Sequence, residues 1–503
     1  MPVSPIPLRM RTMNRSEEQG SSRFSVVAHW GLWLGPSAAL SVGLLLPWPA
    51  EGSDAARSVA AVAVWMAVWW FTQALPLAAT ALLPIVLFPY LGVMSIQEVT
   101  REYAGHLVFL FLSGFLLASA LQRWKIDRRL ALSLVYVMGN STRRIVFGVM
   151  LASAILSMGV SNSATAAMMM PVGLALAGLS SPKNDAREHD SPFATSLMLG
   201  IAYGASIGGV GTLIGTPPNV ILASILEENT GERLTFWRWM LIGVPVVAVI
   251  LPLAWFWLVY GAYPPERSSI AGGRRAVAED LRALGTVGKA ERWTVAVVAL
   301  TATLWVSRPL WEGLLPNGRD AVSDASIGVA GALLLFILPS HGKAGSRLLD
   351  AKAIRALPWD VLLLFGGGLA LARALEVSGL ALWLGETVVA RANLPWPLFL
   401  LLTICAVVFL TEVASNTATT AMVLPLLLAA ASVAGHSALA LMAPAAIAAS
   451  MAFMMPAATP PNAIVFGTGR VSLGQMLRAG FVLNIVAVVV LEMMALWLFP
   501  LYG

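Results

Sequence analysis

Apolar stretches separated by short polar or basic segments run along almost the whole chain, and each is long enough to cross a bilayer as a helix. Two further apolar stretches, 143–179 and 396–434, carry a polar island at their centre. Each is either a pair of crossing helices or one re-entrant hairpin. The hairpin is favoured, because a polar island in the hydrocarbon is tolerated only where protein or a cavity surrounds it. The pattern thus predicts two hairpins and eleven spans, near 24–47, 57–74, 76–93, 106–122, 193–226, 236–260, 293–311, 323–340, 358–376, 437–469 and 474–499.

Four polar, helix-breaking islands occur as two copies of one pair. The first pair is SNSATAAM at 161–168 with GTPPN at 215–219, and the second is SNTATTAM at 415–422 with ATPPN at 458–462. The first islands of the two pairs are 254 positions apart and the second islands 243, a difference that an extra loop in the first copy explains. We therefore predict an inverted repeat in which each copy has one hairpin and one broken helix. Duplicated interruptions of this kind are typical of a transporter's binding site near the membrane centre.

Basic residues in the connecting segments predict the orientation of the chain. Arg and Lys are concentrated in three segments that we place in the cytoplasm: 123–144, 261–292 and 341–357. The chain is then divided into a cytoplasmic tail 1–23, a first half 24–260 (hairpin 143–179, broken helix 193–226), a cytoplasmic linker 261–292 and a second half 293–503 (hairpin 396–434, broken helix 437–469). The C-terminus is predicted outside. Segments 124–140 and 377–393 are amphipathic and are predicted to lie along the two membrane faces.

Composition agrees with an all-α polytopic membrane protein. Hydrophobic residues make up 58% of the chain and charged residues only 12%, half the share typical of soluble proteins, with a mean hydropathy of +0.78. The net charge of +6 lies largely in tails and loops, so it does not indicate a nucleic-acid partner. Cys405 is the only cysteine, which excludes an intrachain disulfide and a cysteine-based metal site. No catalytic triad, metalloprotease motif, P-loop or dinucleotide fingerprint is present, so we expect neither an enzyme nor a bound cofactor.

The islands carry neutral chemistry suited to ions of both signs. A hairpin tip ends one helix in free carbonyl oxygens, which suit sodium, and begins the next with free N–H groups, which suit an anion. None of the four islands contains Arg or Lys, so sodium would offset the charge of a bound dianion. A single such island usually reflects hydrogen bonding between helices, but two matched pairs favour a binding site. Glu412 precedes the second tip and is either a proton site or, as we favour, a structural carboxylate.

At these islands the chain resembles the divalent anion–sodium symporter (DASS) family, over essentially its whole length. The resemblance implies an elevator-type homodimer with a fixed scaffold and a sliding domain built around the hairpins. It also implies a first sodium site at Ser157, Ser161, Asn162 and Gly215, and a second at Thr411, Ala414, Asn416 and Ala458. The dicarboxylate would then contact Asn162, Ser163, Asn416, Thr417, Thr459 and Pro460. One departure is Ser163, where threonine is commoner in the family and a methyl group is therefore lost.

The sequence thus predicts a secondary transporter in the inner (plasma) membrane that imports small dicarboxylates of the succinate, malate and fumarate class with sodium as the coupling ion. Its partners are a dianionic substrate, sodium, lipid and a second copy of the chain. The alternatives are a sodium-independent dicarboxylate exchanger and a transporter of citrate or sulfate. Neutral hydrogen-bond donors do not distinguish a dicarboxylate from citrate or sulfate, so the residues alone do not identify the anion.

Overall fold

The computed structural model describes residues 15–45, 54–180, 191–266, 273–315, 322–340, 346–392 and 394–497. Within these ranges the regular structure is helical, with one isolated bridge between Pro339 and Arg347. The predicted all-α class is therefore confirmed. The first fourteen residues of the predicted tail, and parts of several predicted loops, lie outside the described residues.

Twelve helices form the described part of the first half. They are α1 (Arg15–Leu45), α2 (Asp54–Thr72), α3 (Leu77–Thr80), α4 (Leu83–Tyr90), α5 (Ile96–Glu102), α6 (His106–Arg123), α7 (Ile126–Met138), α8 (Thr142–Ser157), α9 (Asn162–Ser180), α10 (Pro192–Gly209), α11 (Pro217–Thr230) and α12 (Phe236–Phe256), which continues as a π-helical turn, Trp257–Ala262.

The linker and second half contain the remaining helices of the described ranges. They are α13 (Gly273–Ala283), α14 (Lys289–Trp311) with a 3₁₀ turn (Glu312–Leu314), α15 (Asp324–Ile337), α16 (Ala351–Arg355), α17 (Trp359–Val377), α18 (Leu380–Ala392), α19 (Trp396–Thr411), α20 (Asn416–Ala434), α21 (Ala438–Ala448), α22 (Pro460–Phe466) and α23 (Leu473–Trp497).

Among the described residues, six helical segments are long and apolar enough to cross a membrane on their own. They are Asp54–Thr72, Ile96–Arg123, Phe236–Ala262, Lys289–Leu314, Asn416–Ala434 and Leu473–Trp497. The total of eleven spans stays a prediction, because several expected spans are built from shorter helices. Span 76–93 is divided into α3 and α4, and α1 begins at Arg15, inside the segment predicted as a tail.

The segments predicted as hairpins and broken helices form helix pairs with a short non-helical segment between the two helices. Helices α8 and α9 are joined by the turn 158–161, and α19 and α20 by the turn 412–415. Helices α10 and α11 are separated by 210–216, and α21 and α22 by 449–459. Two prolines open both α11 and α22, where a missing N–H costs no hydrogen bond. The helix interruptions therefore fall on the four polar islands.

The centre of the molecule is a glycine-rich packing of α10 on the first hairpin. Every residue of α10 from Phe193 to Gly209 is buried. A Cβ atom on Gly204 or Gly208 would overlap the backbone of Met150 or Ala154 on α8, so glycine permits this approach. Each hairpin also contacts the other half's broken helix, α9 with α22 and α20 with α11. The hairpins and broken helices form one interlocked body, which we call the central body (α8–α11 and α19–α22).

The two amphipathic helices begin in the same way. Lys125 before α7 and Gly379 before α18 have positive φ angles of 56° and 73°, and they are 254 positions apart, the spacing of the two hairpin tips. Helix α7 packs along α8, and α18 packs along α20. A left-handed residue thus turns the chain onto its hairpin at equivalent positions in both halves.

The linker docks against the face of the molecule that carries α7. Arg129 of α7 forms an ion pair with Glu291 at 2.5 Å and also donates to the carbonyl oxygen of Gly285 at 3.1 Å. Nearby, the Thr142 hydroxyl donates to the Glu266 carbonyl oxygen at 2.8 Å. The segments predicted to share the cytoplasmic side therefore lie together.

Candidate functional site

The four polar islands surround one cavity of about 470 Å³. Its polar wall comes from both hairpin tips and both Thr-Pro-Pro segments: Ser161–Ser163, Gly215–Pro217, Ser415–Thr417 and Ala458–Pro461. Its other wall comes from outside the central body: Pro76–Ala78, Phe111, Phe115, Pro358, Asp360, Val361 and Leu364. The cavity is thus polar on the central body and largely apolar on the surrounding helices.

The predicted substrate residues all line this cavity: Asn162, Ser163, Asn416, Thr417, Thr459 and Pro460. Of the predicted sodium residues, Ser161, Gly215 and Ala458 also reach it. Ser157, Thr411 and Ala414 do not line it and are buried beside the tips. The structure therefore brings the predicted residues together, in two layers.

At the first tip, one end of the Asn162 side-chain amide faces oxygen atoms. The Ser157 hydroxyl oxygen lies 2.5 Å away, and the carbonyl oxygens of Ala205 and Gly215 lie 3.2 and 3.3 Å away. With its nitrogen at that end the amide donates to these oxygens; with its oxygen there, four oxygens converge. In the second orientation only the Ser157 hydroxyl brings a proton to the four oxygens, so their remaining lone pairs are free to bind a hard cation such as sodium.

At the second tip, oxygen atoms also outnumber the protons available. The Thr411 hydroxyl oxygen lies 2.7 Å from the Asn416 amide oxygen and 2.8 Å from the Ala449 carbonyl oxygen. A hydroxyl has one proton and can satisfy only one of these two acceptors. The hydroxyl precedes the tip asparagine by five residues at both tips, Ser157 before Asn162 and Thr411 before Asn416. Both tips therefore offer an oxygen cluster of similar composition.

The carbonyl-rich breaks are held in place by asparagines that the sequence reasoning left without a role. The Asn219 amide nitrogen donates to the carbonyl oxygens of Thr212 at 2.8 Å and Gly209 at 3.2 Å. The Asn462 amide nitrogen donates to those of Met455 at 3.0 Å and Ala452 at 3.1 Å. Both side chains are fully buried. The Pro-Pro-Asn motif thus supplies a helix start and a side chain that fixes the preceding break.

Glu412 is the centre of a dense hydrogen-bond network beneath the second tip. Its carboxylate accepts from the backbone N–H groups of Phe453 at 2.7 Å, Met454 at 2.9 Å and Met455 at 2.9 Å. The Asn484 amide donates to it at 2.7 Å. Four donors aimed at one carboxylate match its acceptor-only ionised form. This geometry favours the structural role over a proton site.

Helix N-termini supply donors to the same cavity. Helix α9 begins at Asn162 and α20 at Asn416, and the Ser415 side chain makes no capping bond to α20. The first N–H groups of α20 therefore have no side-chain cap and point toward the tip. By contrast, α11 and α22 begin with two prolines and contribute fewer N–H donors. An anion in the cavity is served best by the tips of the two hairpins.

Several site features were not found from the sequence. The Ala205 carbonyl oxygen belongs to α10 and the Ala449 carbonyl oxygen to the first residue after α21, and neither position carries a motif, so only the fold reveals them. Asn219 and Asn462 had a signal in the duplicated Pro-Pro-Asn but no assigned role. Asp360, which lies in the opposite wall, had none. In the described ranges no group of three or more His, Cys, Asp or Glu side chains could hold a metal ion.

A second polar cluster lies at the far end of α11. Glu227 pairs with His106 at 3.2 Å and with Arg233 at 3.2 Å. The neighbouring Glu228 carboxyl accepts from the Ser224 hydroxyl at 3.0 Å and is hydrogen-bonded to the Glu102 carboxyl. Burial, together with the Glu102 carboxyl, raises the pKa of Glu228 to about 7. The contact between α11 and the end of α5 therefore depends on a proton.

The chain matches known proteins over nearly its whole length. Residues 27–502 match the family described as the sodium:sulfate symporter transmembrane region. The sodium-dependent dicarboxylate transporter SdcS of Staphylococcus saprophyticus is 40% identical over 495 residues, 96% of this chain and 94% of that protein. The protein of the same name from Staphylococcus aureus is 38% identical over 497 residues, 97% of this chain and 94% of that protein.

Solved structures show a related fold at low identity. The Alcanivorax borkumensis YdaH transporter has a TM-score of 0.57 at 14% identity, covering 94% of this chain and 98% of that one. The Neisseria gonorrhoeae MtrF structure has a TM-score of 0.55 at 12% identity, covering 92% and 97%. With its whole-length match and its apolar helices, the chain belongs to the sodium:sulfate (divalent anion–sodium) symporter family of integral membrane transporters, and it is a transporter rather than an enzyme.

Proposed function

We propose that this protein imports small dicarboxylates of the succinate, malate and fumarate class, driven by sodium, through an elevator movement of the central body. The observation that carries the proposal is one cavity with an oxygen cluster at each hairpin tip and no Lys or Arg among its lining residues. The two staphylococcal relatives are named sodium-dependent dicarboxylate transporters, which agrees with this assignment.

Charge balance explains why sodium and anion would bind together. A dianion placed among neutral groups in a medium of low dielectric needs compensation by nearby positive charge. The side chains around the cavity supply none, while the helix starts at Asn162 and Asn416 supply only partial charge. Two sodium ions, one at each oxygen cluster, would balance the two charges of the anion. Sodium would thus be cargo and a condition for binding the anion.

In the proposed site each predicted residue keeps its role. The first sodium is held by Ser157, Ser161, Asn162 and Gly215, with the Ala205 carbonyl oxygen added. The second is held by Thr411, Ala414, Asn416 and Ala458, with the Ala449 carbonyl oxygen added. The anion contacts Asn162, Ser163, Asn416, Thr417, Thr459 and Pro460.

The elevator proposal rests on where the cavity lies. One wall belongs to the interlocked central body, and the other belongs to α3, α6 and α17. The lining residues Pro76 and Pro358 each stand at the predicted cytoplasmic start of a span, so we place the mouth of the cavity there, and this state would face the cytoplasm. Sliding the central body along the opposite wall would carry the site to the outer face. We further propose a homodimer, which would hold those walls fixed, in the plasma membrane with a cytoplasmic N-terminus and an external C-terminus.

The experiment is uptake of labelled succinate by the purified protein in proteoliposomes. We expect uptake with an inward sodium gradient, little with potassium in its place, and competition by malate and fumarate. If uptake does not depend on sodium and requires dicarboxylate inside the vesicles, the protein is a sodium-independent dicarboxylate exchanger. If sulfate or citrate competes more strongly than succinate, the substrate assignment is wrong.

A further inference from the structure

We propose that Asp360 selects cargo by charge at one mouth of the cavity: it repels the dianion there, repels a trianion more strongly, and so favours release over rebinding. This inference rests on the proposed function, since it concerns the anion site of the same cavity. It assigns a role to a residue in the wall opposite the islands.

Among the described residues that line the cavity, Asp360 is the only one with a charged side chain. It is the second residue of α17, and this helix begins directly after Pro358. The nearby residues Val361 and Leu364 line the same wall of the cavity. The three share one side of a helix, because residues separated by one and four positions lie within about a third of its circumference. Asp360 therefore contributes to the wall of the cavity near its Pro358 end.

The Asp360 charge is not neutralised in the structure. No ion pair or hydrogen bond of its carboxylate is found within the described ranges, and the residue is exposed. By contrast Asp324, another aspartate in a first helical turn, is paired with Arg308 at 2.8 Å and is buried. A carboxylate in the first turn also stabilises its own helix through the helix dipole. Stabilising its own helix does not require the Asp360 side chain to line the path of an anion. A transport measurement therefore separates this role from the proposed one.

The position of Asp360 predicts that it weakens anion binding from one side of the membrane only. Helix α17 belongs to the wall that stays fixed in the proposed movement, so Asp360 faces the anion only when the site is open to this mouth. For charges on the order of 10 Å apart in a wet cavity, Coulomb's law predicts about a two- to fourfold weaker affinity for each negative charge on the anion. A dianion is then weakened about four- to sixteenfold at this mouth, and a trianion such as citrate about two- to fourfold more. The opposite mouth is unaffected.

The test compares wild type with Asp360→Asn, Asp360→Glu and the control Asp54→Asn, another exposed first-turn aspartate that lies outside the cavity. Sodium-driven transport of succinate and citrate is measured in inside-out and right-side-out vesicles. Asp360→Asn should lower KM about four- to sixteenfold for succinate from the Asp360 side and further for citrate, with little change from the other side. Asp360→Glu and Asp54→Asn should resemble wild type.

A second measurement needs no variant. Choline chloride screens charge without supplying the coupling ion, so in wild type it should lower the succinate KM from the Asp360 side alone. An unchanged KM in Asp360→Asn, or an equal shift from both sides, overturns the inference. Wild type that carries sulfate rather than succinate would defeat the proposed substrate, while the same comparison run with sulfate would still decide the role of Asp360.

Discussion

Replacing Glu412 with glutamine should destabilise the protein without removing its dependence on sodium. The carboxylate accepts four hydrogen bonds, three of them from consecutive N–H groups in the second helix break. Glutamine has one acceptor oxygen and places an NH₂ group where the second oxygen receives Met455 N–H at 2.9 Å. In the variant the glutamine NH₂ group therefore faces the Met455 N–H, and two hydrogen-bond donors oppose each other in a buried site.

The magnitude follows from the kinds of bond involved. Three bonds change from charge-assisted to neutral at about 1 kcal/mol each, and one buried N–H loses its partner at about 1–3 kcal/mol. Because bonds in one network are not additive, we expect a loss of about 4 kcal/mol. The second helix break would loosen, and the oxygen cluster at Thr411 and Ala449 would be the first part of the site affected.

The assay is thermal unfolding in detergent, with Glu492→Gln as the matched control. Glu492 lies in the last predicted span, is only half-buried, and its Oε2 atom has no hydrogen-bond partner, so its replacement should change the melting temperature little. Glu412→Gln should lower the melting temperature by several degrees, with residual uptake still driven by sodium. If Glu412→Gln melts like wild type and loses a proton-driven component of uptake, Glu412 is a proton site and our reasoning is wrong.

Three further predictions concern the tips and the far cluster. Asn162→Ala or Asn416→Ala should weaken succinate binding about 10- to 150-fold, as expected for a lost charge-assisted bond of about 1.5–3 kcal/mol; unchanged binding in folded variants would remove them from the site. Thr411→Val keeps the shape but loses an oxygen ligand, so half-maximal uptake should need about tenfold more sodium, while succinate affinity at saturating sodium changes less; an unchanged sodium requirement contradicts the second cluster. Because the Glu228 pKa is raised to about 7 from 4.5, protonation of this carboxyl stabilises the folded state at low pH, and that stabilisation is lost as the pH rises through 7. Wild type should therefore lose thermal stability between pH 5 and 8, while Glu228→Gln, which mimics the protonated acid, should lose less; parallel curves would refute this.

The helix interruptions could be predicted because their chemistry is local. A proline pair cannot continue a preceding helix, and the observed breaks at 210–216 and 449–459 end directly before the two proline pairs. The spacing of 254 between the tips recurs in a backbone feature that was not predicted, the left-handed residues Lys125 and Gly379. The number of spans and the orientation of the chain in the membrane depend on the bilayer, so both stay predictions.

Other features depended on packing that no local pattern encodes. Ala205 joins the first oxygen cluster because glycine contacts bring α10 against the first hairpin, and Ala449 joins the second because the end of α21 lies beside Thr411. Span 76–93 is apolar throughout, yet the chain turns after Thr80, where the Tyr103 hydroxyl donates to the Ala81 carbonyl oxygen. The residue pattern identified what could bind, whereas the tertiary fold determined which backbone oxygens complete the clusters.

Coupled transport of labelled sodium and labelled succinate in one set of proteoliposomes tests the central claim most directly. With an oxygen cluster at each tip and no cationic side chain in the cavity, we predict that two sodium ions enter with each succinate and that neither moves without the other. Succinate uptake at an unchanged rate without sodium, or sodium entry that is independent of succinate, would contradict the account.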